Sequence, residues 1–79
     1  MRAIYKGTVK YKDRELDDFV VRVIIISDTV PAVLPTNGTN VDGMADNEYI
    51  APGSILYVVA TGAEPKWYLA NESGVFVAQ

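Results

Sequence analysis

The sequence predicts a small all-β domain, either a β-sandwich or an open barrel. Three observations carry that expectation: segments at both ends alternate apolar and polar residues at a period of two, turn-forming residues separate those segments, and no stretch has the spacing of an amphipathic helix. With 79 residues, 49% hydrophobic and 22% charged, the chain lies well away from the compositions that stay disordered. A chain of this size supports one core, because it buries only about 60 to 65% of its unfolded surface. We therefore expect a single domain over 1–79, made of an N-terminal hairpin (1–28), a long irregular loop (29–53) and a β-meander (54–79).

In "AIYKGTVKYK" the positions Ala3, Tyr5, Gly7, Val9 and Tyr11 alternate with Lys6, Thr8, Lys10 and Lys12, the pattern of a half-buried strand. The charged stretch "KDRELDD" (12–18) is the expected hairpin connection. In the return strand "FVVRVIIISD", Phe19, Val21, Val23 and Ile25 share one face and Val20, Arg22, Ile24 and Ile26 the other. Both faces become apolar toward its end, which predicts a central strand covered on two sides. If Ile24 and Ile26 faced solvent instead, they would form a sticky patch that a partner subunit could cover.

Residues 29–53 hold Pro31, Pro35 and Pro52 together with Gly38, Gly43 and Gly53. Pro removes a backbone donor and Gly tolerates positive φ, so only turns are expected there. Roughly 25 residues without regular structure is long for a small domain, and such loops tend to make contacts. The strand at 54–61 sets Ser54, Leu56, Val58 and Ala60 against Ile55, Tyr57, Val59 and Thr61, and it is bounded by Pro52-Gly53 and Gly62. "AEPK" turns the chain, "WYLA" forms a strand, "NESG" is a tight turn with Gly74 placed for positive φ, and "VFVA" closes the meander.

Composition removes most chemistry. The chain has no cysteine and no histidine, so it lacks thiol nucleophiles, thiolate metal sites and the usual general base. A serine nucleophile would need a buried lysine such as Lys66 beside Ser54, at a desolvation cost that a small core does not cover. The acids Asp13, Glu15, Asp17 and Asp18, and those at Asp42, Asp46 and Glu48, lack the spacing of a calcium loop. No catalytic residue, cofactor or metal site is expected, and the reading is of a protein that is not an enzyme.

Net charge is −3, and the early basic residues are interleaved with acids, which argues against nucleic acid. Tyr5 and Tyr11 also alternate with Lys6 and Lys10 rather than sharing a face with them, as a stacking platform would require. Apolar runs such as "VIII" at 23–26 fall far short of the roughly 20 residues of a membrane span, and the N-terminus lacks the apolar core of a signal peptide. The residues expected to make contacts are Leu34, Pro35, Val41, Met44 and Tyr49 in the loop, with Ile24, Ile26 and Trp67 on strands. Trp67 is the best single anchor, because Trp is enriched at interface hot spots.

The last 45 or so residues resemble a known group. A turn-rich stretch, Pro-Gly-Ser, a short apolar strand, Thr-Gly, a Tyr strand and a final "NESGVFV" look like the endings of small structural proteins of bacteriophage and prophage head modules. The matching positions are Pro52, Gly53, Ser54, Tyr57, Thr61, Gly62, Tyr68, Gly74 and Phe76. Such endings often carry Trp where this chain has Phe76, and the N-terminal hairpin lies outside the likeness.

The resemblance implies a capsid decoration, head-fibre or joining protein that self-associates or binds the capsid lattice. Its partners would be itself, as a homo-oligomer, or other virion proteins, with no membrane. Its location would be the virion, and the host cytoplasm during assembly. The alternatives are a small ligand- or nucleic-acid-binding β-barrel and a regulator that caps a partner protein.

Overall fold

The alternation read from the sequence becomes one mixed β-sheet. The computed structural model describes residues 1–7, 10–11, 14–15, 20–36 and 38–79, and among these there are strands and turns but no helix. The strands are β1 (Arg2–Gly7), β2 (Lys10–Tyr11), β3 (Arg14–Glu15), β4 (Val20–Ser27), β5 (Tyr49–Ile50), β6 (Ile55–Val58), β7 (Lys66–Ala70) and β8 (Phe76–Ala78). The sheet runs β1-β4-β6-β7-β8, with β5 also on β4. The protein is all-β, as expected.

β1 and β4 pair antiparallel, and β2 pairs with β3 in a separate two-stranded sheet. Most of the expected charged connection, including Asp13, Asp17 and Asp18, lies outside the described residues. From β4 the chain crosses to lay β6 parallel beside it, Ile24 opposite Ile55 and Ser27 opposite Val58. β7 and β8 then follow antiparallel as a meander.

One face of this sheet is the core. Val21, Val23, Ile25 and Ser27 of β4 are buried, as are Leu56, Val58, Ala70 and Phe76 of the later strands. Leu34, Val41 and Met44 pack against that cluster from the long loop. Sheet and loop together thus form the two layers that a folded domain requires.

The alternation expected in β1 breaks after its second residue. Ala3 pairs with Ile25 on the core side, whereas Tyr5 pairs with Ile24 on the other, because the register slips at Ile4. One extra residue flips all that follow it to the opposite face. Ala3 and Tyr5 therefore do not share a face, contrary to the simple period-two reading.

The long loop is held at defined points. The Ala3 N–H donates to the Asp42 carbonyl at 2.7 Å, and the Ile50 N–H to the Thr39 carbonyl at 2.8 Å. The Glu48 carboxylate accepts from the Ala45 N–H at 2.7 Å, and the Asn40 amide reaches the Ala45 and Asp46 carbonyls. At Gly43, φ is +92° and an added Cβ would lie 2.6 Å from the Ala3 carbonyl oxygen. Only glycine lets the loop approach β1 this closely.

Candidate functional site: an open apolar sheet face

The opposite face of the same sheet carries apolar side chains and is only partly covered. Strand register places Tyr5, Ile24, Ile55, Leu69 and Val77 in a single row across five strands. A second row sets Ile26, Tyr57 and Trp67 side by side, with the two rings 6.4 Å apart. At one end, Tyr49 stands opposite Val20.

The three isoleucines are half-buried by their neighbours. Tyr5 is 62% exposed, Val77 44%, Trp67 41% and Tyr57 40%. Exposed aromatics on a continuous apolar surface are the composition of a contact surface rather than of a solvated one.

Among the described residues, acids and bases stand at the margins of this face. Arg2, at the edge strand, makes an exposed ion pair with Asp28 at 3.4 Å. Arg22 lies at the opposite end of β4, and its Nε is buried with no hydrogen-bond partner among the described residues. Gly53 accommodates it: φ there is +85°, and a Cβ would come within 2.7 Å of that nitrogen. The central row contains no acidic or basic residue.

A break between β5 and β6 fixes the position of the face. Along β4 only Arg22 and Val23 separate the partners of Ile50 and Ile55, but four residues, 51–54, lie between them on the other side. The surplus bulges out and would leave the Val23 N–H without a carbonyl. Ser54, fully buried, fills the gap: its Oγ accepts from the Val23 N–H at 3.1 Å and donates to the Ala51 carbonyl at 2.7 Å. On the far side, the Gly53 N–H donates to the Ala70 carbonyl and the Ala70 N–H to the Ser54 carbonyl. The Pro-Gly-Ser signature thus has a structural meaning: the turn, room for Arg22, and a hydroxyl that stitches a broken strand.

Each contact residue expected from sequence now has a place. Ile24, Ile26, Tyr49 and Trp67 converge on the open face. Leu34, Val41 and Met44 are turned onto the protein's own core, and Pro35 is half-buried in the loop. Tyr5, Ile55, Tyr57, Leu69 and Val77 were not singled out by sequence reasoning. Their signal was present in the second apolar face of 54–61, but which residues line up across strands depends on register.

The polar groups named above for catalysis or metal binding have defined places among the described residues. Ser54 Oγ is engaged on both sides away from solvent, and Lys66 is exposed. No group of three or more acidic, His or Cys side chains could hold a metal there. A hollow of about 280 Å³ is lined by Val30, Val58, Ala63, Glu64, Lys66 and Tyr68, near the lower end of the ~300 to 1,000 Å³ of ordinary small-molecule sites. The side chains of Lys6, Lys10 and Tyr11, considered above for nucleic acid, lie outside the described residues. Comparison with protein-family models, with curated proteins and with solved structures gave no match.

Proposed function

We propose that this chain is a non-enzymatic contact protein, specifically a structural component of a bacteriophage or prophage virion that associates with itself or with the capsid lattice. The observation that carries the contact reading is the apolar row Tyr5, Ile24, Ile55, Leu69 and Val77, continuous over five strands. A small domain does not keep such a surface in water without a use for it, since an uncovered apolar sheet face invites aggregation. The virion part of the reading rests on the likeness of the C-terminal meander to head-module proteins. Pro52, Gly53 and Ser54, at the start of that likeness, build the break that aligns β6.

The test is co-sedimentation of the purified protein with capsid shells assembled from the capsid gene of the same replicon. Saturable binding is expected, with loss of at least tenfold in affinity for Leu69→Lys. If wild-type protein stays in the supernatant, or Leu69→Lys binds as well as wild type, the proposal fails.

A further inference from the structure

We infer that the open face takes a second copy of this chain, packed sheet on sheet so that two single-sheet protomers complete a sandwich. The inference rests on the contact reading above and names the first partner of that face. Three observations favour a copy over a foreign protein.

Layering comes first. The core face has its cover in Leu34, Val41 and Met44, whereas Trp67, Tyr57, Leu69 and Val77 stay 37 to 44% exposed. Sheets with two apolar faces are normally covered on both, and aligned sheets pack face to face about 10 Å apart.

Area is the second argument. With aromatic side chains of ~150 to 250 Å² each, the exposed fractions of Tyr5, Tyr49, Tyr57, Trp67, Leu69 and Val77 leave roughly 500 to 600 Å² open per protomer. Two such faces would bury roughly 1,000 to 1,200 Å², which reaches the ~1,000 Å² expected of a specific interface and sits at the weak end of that range. One protomer's patch is also at the upper end of what monomers carry, about 300 to 600 Å².

Charge is the third. Two copies of a chain with net charge −3 carry a net electrostatic repulsion. The central row carries no acid or base, so two copies related by a two-fold axis can meet there without like charges in opposition. A partner chosen by electrostatic complementarity would find no charge in that row to read.

The experiment follows the full chain from about 1 μM to 1 mM by light scattering on a sizing column, with the emission of its single tryptophan, Trp67, recorded over the same range. The mass should double with a midpoint on the order of micromolar, and the emission should shift to the blue with the same midpoint. Leu69→Lys should raise that midpoint at least tenfold while keeping the β-sheet circular dichroism.

Because a charge could unfold the sheet, a second readout leaves the face intact. The chain has no cysteine, so Leu69→Cys should form covalent dimers under mild oxidation. Val33→Cys, on the loop and 80% exposed, should do so far more slowly. A monomer throughout, a dimer whose Trp67 emission does not move, or equal cross-linking at the two positions would overturn the inference. A monomer whose Trp67 emission shifts only when capsid shells are added would overturn it and leave the contact reading standing. A monomer that responds to neither would remove both.

Discussion

Replacing Ser54 by alanine tests whether one hydroxyl holds the junction between the two halves of the sheet. The substitution removes the acceptor of the Val23 N–H and the donor to the Ala51 carbonyl, at a position with no solvent access. The Ala51 carbonyl keeps a long bond from the Ser54 N–H at 3.3 Å, so it is not wholly orphaned. The Val23 N–H has no such reserve, and a buried donor left unpaired costs about 1 to 3 kcal/mol. Adding about 0.5 to 1.5 kcal/mol for the lost bond to the carbonyl gives an expected loss of about 2 to 4 kcal/mol.

A domain of this length holds roughly 4 to 12 kcal/mol in all, so the change is a large fraction of the total. At about 4 to 8 °C per kcal/mol, Tm should fall by roughly 10 to 30 °C. Urea unfolding followed by circular dichroism should show a lower midpoint at unchanged slope. Ser73→Ala, in an exposed turn, is the control and should stay within about 0.5 kcal/mol. If Ser54→Ala behaves like that control, the Val23 N–H finds another acceptor and the hydroxyl is not what holds the break.

Three further outcomes are expected. Gly43→Ala should cost about 1 to 3 kcal/mol, because it strains a positive φ and drives a Cβ into the Ala3 carbonyl; hydrogen exchange should show the Ala3 amide losing protection with it. Asn71→Ala removes the side-chain oxygen that accepts from the Ser73 and Val75 N–H groups, both at 3.0 Å, and should cost about 1 to 2 kcal/mol, with NMR shift changes concentrated in β7 and β8. Asp28→Asn breaks only an exposed ion pair and should change stability by no more than about 0.5 kcal/mol in a urea titration.

How far the sequence foretells this molecule depends on whether a feature is local. The two apolar faces of β4 were readable from "VVRVIII", since alternation is a property of the strand itself, and Ile24 and Ile26 on the open face follow from it. The punctuation of β6 was readable for the same reason. The parallel pairing of β4 with β6 was not, because nothing in either strand specifies a neighbour some 30 residues away. Ser54's role was hidden with it, since the hydroxyl matters only once Val23 is alongside.

The bulge at Ile4 defeated the simple alternation in β1: a one-residue surplus appears only against the partner strand. The loop's apolar residues were legible as apolar but not as inward-facing. Sequence marks what wants cover, and the fold decides which of those residues the chain covers itself.

The crossover between β4 and β6 also determines how the chain reaches this structure. β1 with β4, and β6 with β7 and β8, are near neighbours in sequence, but the two groups meet along β4, where Ile24 to Ser27 register against Ile55 to Val58 and the Val23 N–H reaches Ser54. That meeting closes a connection of some 27 residues, and the entropy of closure grows with loop length. Docking of the C-terminal meander onto β1 and β4 is therefore the step expected to limit folding, because the contacts it makes are long-range. Residues inserted at the exposed Val33 should slow refolding in stopped-flow mixing and leave the unfolding rate nearly unchanged.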